Sequence, residues 1–146
     1  MVNKEGKYWW WFISLSLFVI IVDQVLKFLV LRFRPEWDFK ILLIHFISNT
    51  GAGFGILQGK TLILAMVSLI AALLVVFFYK KIPQEKLMQV LMGLFLGGVV
   101  GNFIDRMFRG YVVDFIDFKF WPAFNVADAV ITISVIGLII YLWKKE

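Results

Sequence analysis

The chain has 146 residues, 62% of them hydrophobic, a mean hydropathy of +0.89 and a formal net charge of +5. Soluble domains contain about 45–50% apolar residues, so this composition excludes an ordinary soluble domain and favours a protein with the lipid bilayer as its solvent. The absence of cysteine and the single histidine exclude disulfides, thiolate chemistry and a histidine-cluster metal site. Lys and Arg form no dense basic run, so we predict no nucleic-acid partner.

Four apolar segments approach the length of about 20 residues that a membrane helix needs. The third contains only Gln89 and Asn102 as strongly polar residues, and the fourth contains one charge, Asp128. No A-x-A cleavage site follows the first segment, so we predict a retained helix rather than a cleaved signal peptide. The sequence therefore predicts an all-α membrane protein of one domain, 1–146, with spans at 8–31, 61–79, 87–104 and 126–143.

Four spans place both termini on one side of the membrane and the long loops 32–60 and 105–125 on the other. Lys and Arg are divided equally between the two sides, but the terminal-side segments are much shorter, so we predict cytoplasmic termini. Trp9, Trp10, Trp11 and Trp143 are expected to be aromatic anchors on that side. The terminal-side basic residues are Lys4, Lys7, Lys80, Lys81, Lys86, Lys144 and Lys145.

The first loop contains more apolar residues than an ordinary connection. Phe39–Ile47 is rich in Ile, Leu and Phe, and turn residues at 49–51 separate it from Phe54–Leu57. We predict a short β-hairpin, or small β-cradle, at the membrane surface. Its apolar side chains would contact lipid or an apolar substrate, or would only pack on the helix ends.

Polar residues from separate segments converge on the loop side of the predicted bundle. Charged residues within membrane spans are costly and are functional hypotheses by default. The opposite side receives only lysines, glutamates and aromatic residues near the ends of the spans. Span counting alone therefore predicts a site formed by Asp23, Lys27, Asn49, Asn102, Asp105, Arg106, Asp114, Asp117, Asn125 and Asp128.

Several of these residues also have structural interpretations. Asp23 and Lys27 are four residues apart and can pair on one helix face, with the Lys27 side chain extended to the interface. Asp105 beside Arg106 is compatible with an interfacial anchor. His45 is expected to be structural, because it is alone in an apolar run.

Two further patterns have structural explanations. Asn125 followed by Asp128 is typical of a helix N-cap with an acid in the first turn. Glycines at four-residue spacing in the third span predict close helix packing without chemistry. These glycines are Gly93, Gly97 and Gly101.

Carboxylates are the only chemically competent groups in the predicted site. The sequence has no Gly-x-Ser-x-Gly motif, no His-Glu-x-x-His motif and no phosphate loop. Two carboxylates that share a site hold one proton between them, since both cannot ionise cheaply. The ionised carboxylate can activate water and the protonated one can bind a carbonyl oxygen, which is general acid–base hydrolysis of a peptide bond.

Asp114 and Asp128 are the preferred pair. Asp114 ends an apolar run and Asp128 lies at a rigid helix start, and the chain between them, which includes Pro122, is long enough to fold back. Asp105 and Asp117 have simpler explanations, because each has a basic residue within two positions. Spacing alone leaves the other pairings of these acids open.

The same residues carry a family resemblance. The chain resembles lipoprotein signal peptidase, also called signal peptidase II, an aspartic peptidase of bacterial inner or plasma membranes. The matching blocks follow the family's order on the same four-span plan. They are Asp23-Gln24 with Lys27, Asn49-Thr50-Gly51-Ala52-Gly53-Phe54-Gly55, Gly101-Asn102-Phe103-Ile104-Asp105-Arg106, Val112-Val113-Asp114-Phe115 and Phe124-Asn125-Val126-Ala127-Asp128. Gly53 stands where Ala is common in the family.

The resemblance implies a function and a role for each residue. The catalytic pair would be Asp114 and Asp128. The substrate would be a prolipoprotein cut just before its diacylglyceryl-modified lipobox cysteine, at the extracytoplasmic face, by a monomer sensitive to globomycin. No metal or other cofactor is expected. Asn49, Asn102, Arg106 and Asn125 would line the substrate pocket, and Asp23, Lys27, Gly51 and Asp105 would support it.

Three other functions make different predictions. A proton-coupled carrier predicts internal repeats and acids near the midplane, whereas the sequence has no repeat and its acids lie toward one face. A membrane scaffold built on the glycines predicts that neutral variants of the acids retain function. A divalent-metal site on Asp105, Asp114, Asp117 and Asp128 predicts loss of activity with a chelator.

Overall fold

The fold was analysed in a computed structural model that describes residues 7–144. The predicted terminal-side charges Lys4 and Lys145 lie outside these residues. Four α-helices form the bundle, and the described range also contains two short 3-10 turns, Gly53–Gly55 and Tyr79–Lys81. The helices are α1 (Trp9–Phe33), α2 (Thr61–Phe77), α3 (Lys86–Phe108) and α4 (Val126–Trp143).

Three of the four helices, α1, α3 and α4, are long and apolar enough to cross a membrane. The helix α2 has 17 residues and no charge. At a rise of about 1.5 Å per residue it is about 26 Å long, which is close to the shortest span that a bilayer accepts. The helix α3 continues beyond the predicted end at residue 104, so Asp105 and Arg106 lie in its last turns rather than after it.

The helix α3 is the centre of the bundle, and α1, α2 and α4 all pack against it. Its glycines permit this approach, as predicted. A Cβ atom at Gly93 would lie 2.7 Å from the Phe12 carbonyl oxygen, and one at Gly101 would lie 2.7 Å from the Asp23 carboxylate. Among the helices, α2 makes close backbone contact only with α3 and with neither α1 nor α4.

A three-stranded antiparallel sheet lies at the end of the bundle that carries the long loops, here called the loop end. The strands are β1 (Trp37–Asp38), β2 (Leu43–Asn49) and β3 (Val112–Asp117), in the order β1-β2-β3. The small sheet confirms the predicted cradle, but the predicted hairpin partner Phe54–Leu57 is wrong. That segment forms a 3-10 turn with Phe54 at a φ of 59°, and the main partner of β2 is β3 from the second loop.

The strand β3 connects the sheet to the helices, because it pairs with β2 and packs against α1 and α3. Its residues Val113 and Phe115 are buried against Val30 near the end of α1. The β-branched pair Val112-Val113 favours an extended strand, and its burial explains why this segment, rather than Phe54–Leu57, completes the sheet. The sheet is thereby fixed to the helix ends at the position of the polar residues.

The opposite end, here called the terminal end, is organised around aromatic rings. Lys86 lies over the ring of Trp11 at 4.7 Å, and Lys81 lies over Phe78 at 5.0 Å. The buried side chain of Gln89 accepts a hydrogen bond from the Tyr79 hydroxyl at 2.8 Å. This arrangement is typical of an interfacial region where amphipathic side chains meet water and headgroups.

Candidate active site

Asp114 is held in the middle of β3 by donors from two other segments. Asn49, at the end of β2, donates to its Oδ2 atom at 2.9 Å, and Asn125, before α4, donates to its Oδ1 atom at 2.8 Å. The register pairs Val112 with Asn49, which places Asn49 and Asp114 on the same face of the sheet. Asp114 is only 1% exposed.

Asp128 is held in the first turn of α4 by a capping box. Its backbone N–H donates to the Asn125 side-chain oxygen at 2.9 Å, and the Asn125 backbone N–H donates to the Asp128 carboxylate at 3.3 Å. The predicted N-cap is confirmed. Asn102 of α3 donates to the other carboxylate oxygen at 2.7 Å. This candidate catalytic acid therefore also caps the N-terminus of α4.

Asn125 connects the two acids. Its amide nitrogen donates to Asp114 and its amide oxygen accepts from the backbone of Asp128, so one side chain sets the position of both carboxylates. Its nitrogen also lies 3.2 Å from the Asn102 oxygen, which links the pair to α3. The structure thus brings together the two acids that the sequence favoured, from β3 and α4.

Burial raises the pKa of Asp114 to about 7, and the neighbouring charge of Asp128 acts in the same direction. The hydrogen bonds from Asn49 and Asn125 oppose this rise by stabilising the ionised form. A carboxyl group with this pKa exchanges its proton near neutral pH, which is the property that acid–base catalysis requires.

A cavity of about 480 Å³ opens beside Asp128, and Asp114 lies buried behind its lining residues Asn49 and Val112. Asn49, Arg106 and Asp128 provide its polar lining, and α4 contributes an apolar wall that includes Ile131. The ring of Phe54 meets the ring of Trp121 edge-on at 5.2 Å along the cavity. The cavity therefore combines a polar centre with an apolar boundary, as a binding site for an amphipathic ligand requires.

Arg106 points toward this cavity from α3. Its guanidinium makes two long contacts of 3.4 Å, one to the Ser68 hydroxyl and one to the Gly51 carbonyl. Its buried Nε atom has no hydrogen-bond partner within the described residues. Asp105 pairs with Lys27 and Arg109 rather than with its sequence neighbour Arg106. The guanidinium retains donor capacity toward the cavity.

Gly51, whose carbonyl oxygen contacts Arg106, also holds the Asn49 side chain. Its backbone N–H donates to the Asn49 side-chain oxygen at 2.9 Å. A Cβ atom at this position would lie 2.7 Å from the Ile56 carbonyl oxygen, so only glycine fits. Gly51 thereby orients the amide that holds Asp114.

Lys27 is fully buried beneath the two acids. Its ammonium group lies 2.7 Å from Asp23, 3.0 Å from Asp105 and 3.0 Å from the Asn102 side-chain oxygen. The predicted Asp23–Lys27 pair is confirmed, but the predicted extension of Lys27 to the interface is wrong. Three acceptors match the three N–H bonds of the ammonium group, so burial leaves none of them unsatisfied.

The carboxylates of Asp23 and Asp105 also hold backbone groups. The Ala127 N–H donates to Asp23 at 3.0 Å, and the Val113 N–H donates to Asp105 at 3.0 Å. Ala127 directly precedes Asp128, and Val113 directly precedes Asp114. The buried acids therefore fix the chain one residue before each member of the candidate dyad.

Sequence reasoning gave no role to Gln24 and Arg109, which complete this network. Gln24 donates to Asp105 at 3.0 Å and accepts from Arg109 at 2.9 Å, and Arg109 also pairs with Asp105. The available signals were the adjacency of Gln24 to Asp23 and the four-residue spacing from Asp105 to Arg109.

The remaining loop-end acids have partners away from the cavity. Asp117 contacts His45 at 3.0 Å, and Asp38 pairs with Lys119 at 3.0 Å. The expected association of Asp117 with Lys119 is therefore wrong. Within residues 7–144 there is no group of three or more His, Cys, Asp or Glu side chains placed to hold a metal ion.

Known proteins resemble this chain in sequence and in architecture. The family described as signal peptidase (SPase) II matches residues 15–144. The chain belongs to the signal peptidase II family. It is accordingly an aspartic-type signal peptidase, which confirms the predicted enzyme class.

Individual relatives of the signal peptidase II family cover most of the chain. The lipoprotein signal peptidase of Halothermothrix orenii is 36% identical over 135 residues, covering 89% of this chain and 93% of the relative. The lipoprotein signal peptidase of Staphylococcus aureus strain JH9 is 39% identical over 142 residues, covering 90% of this chain and 87% of the relative. A solved bacterial membrane enzyme superposes with a TM-score of 0.84 at 37% identity, covering 91% of this chain and 87% of that one. The shared fold and the apolar helices make this signal peptidase a membrane-embedded protein.

Proposed function

We propose that this enzyme removes signal peptides from prolipoproteins by cleaving just before a diacylglyceryl-modified cysteine, with Asp114 and Asp128 as its catalytic dyad. The observation that carries the proposal is the bridge through Asn125, which links Asp114 of β3 to Asp128 of α4 at the edge of the cavity that Asp128 lines. The names of the relatives support the substrate class, since each is a lipoprotein signal peptidase.

The dyad performs hydrolysis with one shared proton. The ionised carboxylate takes a proton from a water molecule as its oxygen attacks the scissile carbonyl carbon. The protonated carboxyl donates to the carbonyl oxygen, which becomes a hydroxyl in the tetrahedral intermediate. The carboxyl that took the water proton then donates it to the leaving nitrogen, and the other carboxylate takes back a hydroxyl proton as the C–N bond breaks and the carboxylic acid product forms, so the dyad again holds one proton. A pKa of about 7 for Asp114 suits this exchange at neutral pH.

The pocket side chains orient the peptide for this attack. Arg106 has an unpartnered Nε–H and long contacts at its other nitrogens, so it can donate to a substrate carbonyl without breaking a strong bond. Asn49, Asn102 and Asn125 keep the carboxylates aligned, and Asp23, Lys27, Gly51 and Asp105 hold those asparagines and their backbones in place.

The α4 side of the cavity provides an entrance for a lipidated substrate. The helices α2 and α4 both pack on α3 without close backbone contact between them, and the cavity is lined by Ile131, Thr132 and Ile133 of α4. Each buried CH₂ group contributes about 0.8 kcal/mol, so the diacylglyceryl chains remain in the bilayer during cleavage. Lateral entry brings the peptide to the dyad without removing its lipid from the membrane.

We also propose an orientation and a location for the enzyme in its membrane. The enzyme lies in a bacterial plasma membrane as a monomer, with the termini in the cytoplasm and the loop end on the extracytoplasmic side. The dense lysines of the terminal end support this orientation.

Cleavage of a diacylglyceryl-modified prolipoprotein by the purified enzyme tests the function. We expect cleavage by the wild type, near-complete loss in Asp114→Asn and in Asp128→Asn, and no effect of a chelator. A variant that keeps its activity would remove that aspartate from the mechanism. Loss of wild-type activity with the chelator would instead support a metal-dependent reaction.

A further inference from the structure

A second, partly exposed cation belongs to the network beneath the dyad. Asp23 and Asp105 are both inaccessible to solvent, and Lys27 lies between them. One ammonium group cannot neutralise two buried carboxylates, and an uncompensated buried charge is strongly destabilising. Arg109 provides the second positive charge through its pair with Asp105. The four charges of this network therefore sum to zero.

Gln24 fixes how Arg109 meets Asp105. Its amide oxygen accepts from the Arg109 Nη1 atom at 2.9 Å, and its amide nitrogen donates to Asp105 at 3.0 Å and to the Gly101 carbonyl at 3.0 Å. The side-chain amide thus serves as acceptor for one partner and donor for another. Neither a carboxylate nor an apolar side chain can replace both roles.

The network ends on the backbone of β3. Asp105 receives Gln24 and Arg109 at its Oδ1 atom, and Lys27 and the Val113 N–H at its Oδ2 atom. With Oδ1 held, the orientation of Oδ2 toward Val113 is fixed. Because Val113 precedes Asp114, a change in the orientation of this carboxylate displaces a dyad member.

We infer that Arg109 and Gln24 are positioning residues for catalysis, acting through Asp105 and the Val113 peptide to place Asp114. This inference rests on the proposed function, because the displaced group matters only if Asp114 belongs to the dyad. Arg109 is 23% exposed in its side chain and Lys27 is fully buried, so Arg109 is the accessible end of the network.

The test compares Arg109→Gln with two reference variants in the prolipoprotein cleavage assay. Arg109→Lys restores the charge, and Lys119→Gln removes a different loop-end cation whose partner, Asp38, lies away from the cavity. We expect Arg109→Gln to lower kcat by about tenfold with little change in KM, since displacement of a reacting group by about 1 Å costs up to about 10²-fold. Arg109→Lys should recover part of kcat, and Lys119→Gln should equal the wild type.

The pH profile separates positioning from a structural role. The groups that set the pKa of Asp114 are Asp128 from α4, Lys27 from α1, and the amides of Asn49 and Asn125, with Arg106 of α3 close by. Displacement of Asp114 toward water would reduce the effect of burial, so the alkaline limb of kcat should move to lower pH in Arg109→Gln. A purely structural role would lower the unfolding temperature and leave that limb in place.

Gln24→Glu provides a second test that retains an acceptor for Arg109. It removes the donor to Asp105 and adds a negative charge, so we expect a larger loss of kcat than in Gln24→Met. Wild-type kcat in Arg109→Gln, or a loss explained by KM or by unfolding alone, would overturn the inference. In that case an inactive Asp114→Asn variant would leave the proposed function intact.

Discussion

The lysine side chains at the two ends of the helix bundle lie in different environments. At the loop end, Lys27 is fully buried and each of its N–H bonds faces a side-chain oxygen. At the terminal end, Lys81 and Lys86 lie over the rings of Phe78 and Trp11. The first arrangement orders the side chains around it, whereas the second leaves the ammonium groups close to water and headgroups. The difference supports the proposed chemistry at the loop end and the predicted anchorage at the terminal end.

Lys27→Met and Lys86→Met compare the two ends most directly. Removal of Lys27 leaves two buried carboxylates with only one cation, and we expect a loss of about 3–5 kcal/mol of stability together with loss of cleavage. Removal of Lys86 deletes a cation–π contact worth about 0.5–1 kcal/mol. Chemical denaturation in detergent micelles measures both variants. Equal losses would mean that the buried network is not specially stabilising.

The pH dependence of the free energy of unfolding reports on the protonation of Asp114. The pKa of Asp114 is about 7 in the folded protein, against an ordinary value of 3.8. An acid with a raised folded pKa stabilises the fold at low pH, and this contribution is lost as the pH rises through the folded value. We expect stability to fall by a few kcal/mol between about pH 4 and pH 7, at about 1.4 kcal/mol per pKa unit.

Asp128→Asn is the control for this pH effect. It removes the neighbouring charge that helps to raise the pKa of Asp114, so the dependence on pH should become weaker. Thermal unfolding at several pH values measures the slope. An unchanged slope in the variant would show that the two carboxylates do not interact.

Gly101→Ala and Gly93→Ala compare equivalent steric changes along α3. Each new Cβ atom would lie 2.7 Å from a neighbour, the Asp23 carboxylate for Gly101 and the Phe12 carbonyl for Gly93. We expect both variants to lose about 1–3 kcal/mol through overpacking. Only Gly101→Ala should also lower kcat of the folded fraction, because only Asp23 holds the backbone before Asp128. Equal values of kcat would contradict this distinction.

Tyr79→Phe should have the smallest effect. The tyrosine hydroxyl donates to Gln89 at the terminal end, and a hydrogen bond of this kind contributes about 1 kcal/mol. We expect a small decrease in the unfolding temperature and an unchanged kcat. A decrease in kcat would show that the terminal end influences the site.

The helices and the gathering of polar residues at one end could be predicted from the sequence, because both depend on local patterns. Apolar length predicts the four helices, and counting them places the polar residues at one end. The Asn125–Asp128 spacing predicted a cap that the structure contains. These inferences required no knowledge of which distant segments meet.

Long-range pairing explains what the sequence did not reveal. The strand β2 was matched to its nearest apolar neighbour, Phe54–Leu57, whereas its partner β3 lies more than 60 residues further along the chain. Periodicity cannot distinguish these choices, because both segments are apolar and short. The sequence predicts Lys27 at the interface, whereas the side chain is buried. Its burial depends on the acceptors Asp105 and Asn102, which come from another helix and leave no local pattern around Lys27. The Gln24–Asp105 contact also joins two helices, whereas the Asp105–Arg109 pair lies within α3 and had a local signal in its four-residue spacing.

The central claim is that Asp114 and Asp128 act as one catalytic unit, and a double-mutant cycle tests it most directly. Residual cleavage rates of Asp114→Asn, Asp128→Asn and the double variant should be measured at high enzyme concentration. Residues that share one catalytic function are strongly non-additive, so the double variant should be no slower than the slower single variant. Losses that multiply in the double variant, or substantial activity in either single variant, would contradict the account.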